Sequence, residues 1–272
     1  MCPVREGRPP MLSYQHAYHA GNLADVHKHA LLASMLAYLT RKDKPLSYIE
    51  THAGRGLYQL DAPESLKTGE AAQGIDLAER LGWFAQSHPY AATLAEVRRR
   101  YGPRAYPGSP LVAALALRPG DRSQLAELHP QEFAALTEAM LPFDAHCRQI
   151  DGAALALALT PPEPRRGLML IDPSFEVKAD YEALPKLIAQ VHRKWNVGSI
   201  ALWYPILADR RHRPMLDELE ALELPKALRH EVRFQPARDG HGMVGSGMFI
   251  VNAPYGLEEE AARLGKLFAN VP

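Results

Sequence analysis

Gly167-Leu168-Met169-Leu170-Ile171-Asp172-Pro173-Ser174-Phe175 is the stretch from which the fold of this 272-residue chain can be read. Five apolar-run residues are strand-like, an acid ends them, and Pro173 cannot continue a central strand. The run therefore sets a carboxylate and the flat ring of Phe175 at a strand's C-terminal edge, where open α/β sheets place their ligands. Taken alone, it fits a strand stop with a packed Phe equally well.

Three further acids close β-like runs. Leu46 to Glu50 leads into Gly54-Arg55-Gly56, a strand-to-glycine turn that lets backbone approach a nucleotide-like ligand. Gln59 takes the place of the third glycine of a dinucleotide fingerprint, so a dehydrogenase is disfavoured and a nucleoside cofactor favoured. Ser123 to Leu128 reads as a short strand carrying Glu127, an acid suited to accept from both hydroxyls of a ribose. A helix at Gln131 to Leu141 and a short strand at Ala145 to Ile150 then lead to Asp151-Gly152. Singly, each acid is a helix cap or turn residue. Their recurrence at successive strand ends predicts an α/β, Rossmann-like class I S-adenosylmethionine-dependent methyltransferase sheet.

Leu23 to Thr40 has helical spacing and no proline, which predicts an amphipathic helix with Lys28 and His29 near its first turn, where the dipole favours an anion. Residues 61–104 lie between the first and second sheet strands and read as a helical insertion, with helices near Gly69 to Gly82 and Tyr90 to Tyr101. A crossover needs only one helix, so a small subdomain is expected there. Past Phe175 the pattern gives a helix at Asp180 to Trp195 and a strand at Gly198 to Tyr204. Lys226 to Phe234 and Ser246 to Asn252 follow as an antiparallel pair, joined through Gly240 to Gly245. Residues 1–10 read as an N-terminal extension, disordered, and 11–272 as the methyltransferase domain.

The segment Met11 to His29 carries Tyr14-Gln15-His16 and Asp25-Val26-His27-Lys28-His29. Together with Glu50-Thr51-His52-Ala53-Gly54, Tyr106-Pro107-Gly108-Ser109-Pro110, Glu127-Leu128-His129-Pro130 and Leu202-Trp203-Tyr204-Pro205, it resembles the RlmJ family. The Asp172 stretch itself resembles the Asp-Pro-Pro-Tyr signature of enzymes that methylate the exocyclic amine of adenine, with Ser174 and Phe175 as departures. The resemblance implies methyl transfer from S-adenosylmethionine to N(6) of an adenine in 23S ribosomal RNA. It implies that Lys28, His29, His52, Ser109, Glu127, Asp151, Gly152 and Asp172 hold the cofactor, with Gly54 in the turn beside them. Asp172 is implied as the catalytic acid, and Tyr14, His16 and Lys28 as residues tied to RNA or activity.

The chemistry agrees. An aryl amine is a poor nucleophile because its lone pair is delocalised, and acceptors on both N–H groups draw the nitrogen towards tetrahedral geometry. The Asp172 carboxylate and Pro173 carbonyl are the expected acceptors, and Phe175 the expected stacking partner of a flipped base. Ser174 keeps the Pro173 carbonyl but loosens the loop, lacking the fixed φ of proline.

Lys plus Arg and Asp plus Glu both count 31, so any RNA-phosphate surface must be local. Arg98 to Arg100, Arg165-Arg166, Arg193-Lys194 and Arg210 to Arg213 are the candidates, the second and fourth expected to flank the cleft. His16, His19, His27, His29 and His52 raise a zinc reading. Residues two apart on a helix point ~200° apart, so His27 and His29 cannot share an ion, and no metal is expected. No secretory signal or ~20-residue membrane span is visible. Two cysteines fit a reducing compartment, and a monomer in the bacterial cytoplasm is expected. The alternatives are a DNA adenine methyltransferase and a non-catalytic S-adenosylmethionine-binding RNA-binding or assembly protein.

Overall fold

Strands covered on both faces need apolar residues at every position, and the central runs of this chain supply them. The computed structural model describes residues 15–236 and 242–271. The sheet strands, in chain order, are β1 (Ser47–Glu50), β4 (Arg122–Ala126), β5 (Ala145–Arg148), β6 (Gly167–Ile171), β7 (Ser199–Leu207), β8 (Leu228–Arg233) and β9 (Met243–Val251). They form one sheet in the order β5-β4-β1-β6-β7-β9-β8. Neighbours from β5 to β7 run parallel, and β9 is antiparallel to both β7 and β8. Numbered by the sheet alone, that order is 3-2-1-4-5-7-6 with the last strand reversed, the Rossmann-like class I methyltransferase topology.

Alternation assigns the two faces. Tyr48, Leu168, Leu170 and Ala201 join a core with α1 (Leu23–Leu39), α6 (Ser109–Ala116) and α11 (Leu257–Phe268). Ile49, Met169, Ile171 and Leu202 face α8 (Gly152–Leu159), α9 (Asp180–Lys194) and α10 (Arg213–Ala221).

The amphipathic expectation for α1 is corrected: of its residues only Ser34, Ala37 and Tyr38 escape burial. The helix packs against α5 (Pro89–Tyr101), α6, α11 and β9, so partners enclose its charged stripe as well as its apolar one. Residues 61–104 form α2 (Pro63–Thr68), α3 (Glu70–Gln73), α4 (Ile75–Arg80) and α5. At its base β2 (Leu57–Gln59) and β3 (Ala105–Pro107) pair antiparallel. The expected single helix from Gly69 to Gly82 is broken at Gly74, whose backbone is pressed against Gly21: an added Cβ would lie 2.0 Å from the Gly21 oxygen. Ile75, Tyr90 and Val97 belong to the same buried cluster as α1 and β1. The segment thus shares the sheet's core.

Candidate active site

Asp172 leaves β6 at its C-terminal end on the face that Leu168 and Leu170 present to α1. There Lys28 meets it: Nζ donates to Asp172 Oδ2 at 2.6 Å and lies 3.1 Å from Asp25 Oδ1. Lys28 is buried, as is Asp25. Burial alone would pull the Lys28 ammonium down, but the Asp172 and Asp25 carboxylates outweigh it and raise its pKa. Burial likewise opposes the charge on Asp25, and His16, Lys28 and His29 overcome it, holding the carboxyl well below its usual range.

The anion at the first turn of α1 is therefore Asp25 itself. Its Oδ2 accepts from Gly21 N at 2.9 Å and lies 2.8 Å from His16 Nε2, while the Asn22 side chain caps the helix through Asp25 N. His16 also stands edge-on to Tyr58, with ring centres 5.4 Å apart. Tyr14 lies outside the described residues.

A second group lines the C-terminal ends of β1, β4 and β5. Gly54, at φ +62°, donates its N–H to Glu127 Oε2 at 2.8 Å, and His129 N donates to Oε1 at 2.7 Å. Each Glu127 oxygen thus accepts one N–H and has a second lone pair, the pair of acceptors to which two ribose hydroxyls can donate. His52 lies beside them, with Nδ1 2.8 Å from Thr51 Oγ1, and burial lowers its pKa. Asp151 caps α8 through Ala154 N at 2.8 Å. Gly152 is pressed on β1, where a Cβ would meet the Thr51 oxygen at 2.2 Å. These residues fit a nucleoside cofactor laid across the strand ends.

Ser109 and His29 lie deeper. The Ser109 hydroxyl donates to Glu50 Oε1, and Tyr48 donates to Oε2 at 2.7 Å. Burial pushes the Glu50 carboxyl up to about 8. His29 Nδ1 is 3.0 Å from the Tyr106 hydroxyl, and burial pushes its imidazole down to about 3.

Past Asp172, Pro173 is buried, and Phe175 adopts φ +54° with its buried ring 4.8 Å from Tyr181 and 6.1 Å from Trp203. A bulky residue in this left-handed region is disfavoured, and the three packed rings hold it there. The Ser174 hydroxyl, where the resembled signature has proline, turns back to Glu176 N at 3.5 Å.

The basic clusters separate by sheet edge. Arg165 and Arg166 precede β6, at the edge opposite Asp172, and Arg166 is bonded to carbonyls of Leu39 and Lys44. They do not flank the cleft, because a residue before a strand and one after it stand a strand's length apart. Arg193-Lys194, at the C-terminus of α9, also lie away from the site. Arg98 to Arg100 are ion-paired with Glu79 and Glu96. Arg210 to Arg213 follow β7 at the same edge as Asp172, with Arg211 paired to Asp209.

His27 and His29 point to different partners, Ser246 with His230 and Tyr106 respectively. Among the described residues no three His, Cys, Asp or Glu gather as a metal site. Sequence reasoning missed Asp25 as the site's internal anion and Trp203 beside Lys28. The signals were there: Asp25 precedes Lys28 by three, one helical turn, and Trp203 is one residue past the strand position level with Ile171.

A family model described as "Ribosomal RNA large subunit methyltransferase D, RlmJ" matches residues 43–271. A protein of Escherichia coli (strain K12) named "Ribosomal RNA large subunit methyltransferase J" is 40% identical over 252 residues, covering 92% of this chain and 90% of that one. Its namesake in Haemophilus influenzae is 38% identical over 261 residues, with the same coverage. The crystal structure of protein LPL1258 from Legionella pneumophila shares the fold with a TM-score of 0.82 and 33% identity, covering 93% of this chain and 94% of that one. Matched over most of its length by the family model and over nearly all of it by these relatives, the chain belongs to the RlmJ family of ribosomal RNA large subunit methyltransferases.

Proposed function

We propose that this chain transfers a methyl group from S-adenosylmethionine to the exocyclic N(6) amine of an adenine in 23S ribosomal RNA, acting as a monomer in the bacterial cytoplasm. The observation that carries the reading is the pairing of buried Lys28 with partly buried Asp172 at the end of β6, beside the Glu127–Gly54 strand ends. Glu127, Gly54, His52, Asp151 and Gly152 would hold the cofactor across those ends, with Lys28, His29 and Ser109 supporting them from below. When bound, the cofactor supplies an electrophilic methyl group on a positively charged sulfur.

Asp172 and the Pro173 carbonyl accept the two amine hydrogens and so sharpen the nitrogen lone pair. Lys28 occupies Asp172 Oδ2, leaving Oδ1 for the amine. The proton shed by the methylated nitrogen passes to Asp172 Oδ1 and on to water. Phe175 borders the place of the flipped base, with Tyr14 and His16 on the N-terminal side. No covalent enzyme intermediate is required.

The test is methyl transfer from labelled S-adenosylmethionine to unmodified 23S ribosomal RNA, with mass spectrometry of the digested nucleosides. N(6)-methyladenosine should form, and Asp172→Ala should lower the rate by about 10²–10⁴-fold. Cofactor binding with no product would favour the binding-protein alternative, and product on duplex DNA alone the DNA methyltransferase.

A further inference from the structure

The register of β6 and β7 pairs Ile171 with Leu202, so Asp172 and Trp203 stand level one residue on. Alternation carries both to the face of α1. Lys28 reaches both, with Nζ 2.6 Å from Asp172 Oδ2 and 5.5 Å from the centre of the indole. A lysine has a flexible four-carbon stem and a point charge, so its aim comes from its surroundings. Asp25 and Asp172 both attract the ammonium; the face of Trp203 is the uncharged third contact.

The indole is not free to turn. Trp203 Nε1 donates to Ser246 Oγ at 2.9 Å. Ser246 Oγ lies 2.8 Å from His27 Nδ1, and His27 Nε2 lies 2.9 Å from His230 Nδ1. An indole N–H can only donate, so Ser246 accepts there. With the His27 tautomer protonated at Nε2, Ser246 donates its own proton to His27 Nδ1 and His27 Nε2 donates to His230, an arrangement that satisfies each member. Ser246 and His27 are fully buried, where a broken bond strands a polar atom. This chain ties β8, α1, β9 and β7 together beside the cleft.

We propose that Trp203 is a positioning residue for methyl transfer: its ring, locked by Ser246, His27 and His230, is the platform that aims the Lys28 ammonium at Asp172. The proposal rests on the methyl-transfer reading above. A cation over an aromatic face in a dry site predicts that Trp203→Leu lowers kcat by about 3- to 30-fold with little change in the KM for cofactor. Trp203→Phe, which keeps a ring, should retain more activity. Lys28→Met should lose at least as much as Trp203→Leu, and adding Trp203→Leu to it should cost nothing further, whereas a merely structural tryptophan would give additive losses. Ser246→Ala should lower kcat in the wild-type background but not in Trp203→Phe, which has no N–H to hold.

A readout independent of turnover separates this proposal from the function itself. Lys28 labelling by acetic anhydride, followed by mass spectrometry in the full chain, should rise several-fold in Trp203→Leu and in Ser246→Ala. If no product forms even with wild type, the function reading fails and the labelling still decides the platform. Unchanged labelling, or additive kinetic losses in both cycles, would overturn it.

Discussion

Glu50 is an acid at the centre of the sheet with no exposed atom, and two hydroxyls, of Ser109 and Tyr48, are its hydrogen-bond partners. Burial lifts its pKa in the fold to about 8 from the ordinary 4.5. Between those values the unfolded chain has released the proton and the folded chain has not. Stability is therefore present below about pH 4.5 and is lost as pH rises towards 8, by a few kcal/mol at about 1.4 kcal/mol per pK unit. Glu50→Gln keeps the shape without the charge. The gap in melting temperature between Glu50→Gln and wild type should widen as pH rises from 5 to 8, in favour of the variant; parallel melting curves would refute the assignment. His29 acts in the opposite sense: its imidazole is held neutral, so its contribution falls away as pH drops below about 6.5. Neither shift was legible in sequence, because nothing in Glu50-Thr51-His52 states what covers it. Asp172, in contrast, was legible from its own strand.

Among the elements, α1 depends on a contact far from it in sequence. Ile75 N donates to the Gly21 oxygen at 2.8 Å, and Glu70 holds both His19 and Asn22, the residue that caps α1. The helical segment between β2 and β3 thus sets the turn that presents Asp25 and Lys28. Gly74→Ala would drive a Cβ into the backbone of Gly21 and Asn22, atoms that cannot swing aside. It should cost about 1–3 kcal/mol and lower methyl transfer along with the melting temperature. Gly242→Ala, with open space around it, should do neither, and calorimetry with the methylation assay checks both. Helical spacing showed where α1 runs, since 23–40 was expected and Leu23–Leu39 is found. It could not show that the polar stripe is covered too, because Lys28 and His29 become tolerable inside through partners over 70 residues away, Asp172 and Tyr106.

At the scale of the whole molecule, strand order and the position of the site follow from acids at successive strand ends, which is why the topology was legible. The β2–β3 pair was not, since three-residue runs carry little periodicity; α10 and α11 were missed although helical spacing was present, as at Leu257, Ala261, Leu264 and Phe268. Charge obeys the same geometry. The chain has no net charge, and of the basic clusters Arg210 to Arg213 is the one that stands after β7 at the edge of Asp172. Replacing Arg210, Arg211 and Arg213 with Gln should weaken RNA binding and flatten its dependence on salt, as fewer counterions are released. A salt titration with the same slope for both proteins would contradict this placement.

The position of β1 in the middle of the sheet also dictates the order in which the molecule can be made. β1 lies between β4 and β6, so this strand has no neighbour in the sheet until residue 122 has followed it. Lys28 waits for a partner 144 positions later, and the hydroxyl that fixes Trp203 comes later still, at Ser246. Such long-range pairing is slow to assemble. A growing chain therefore carries α1 long before it has a formed cleft, and the contacts around Lys28 and Trp203 are completed only when β9, which follows every other strand of the sheet in chain order, closes against β7.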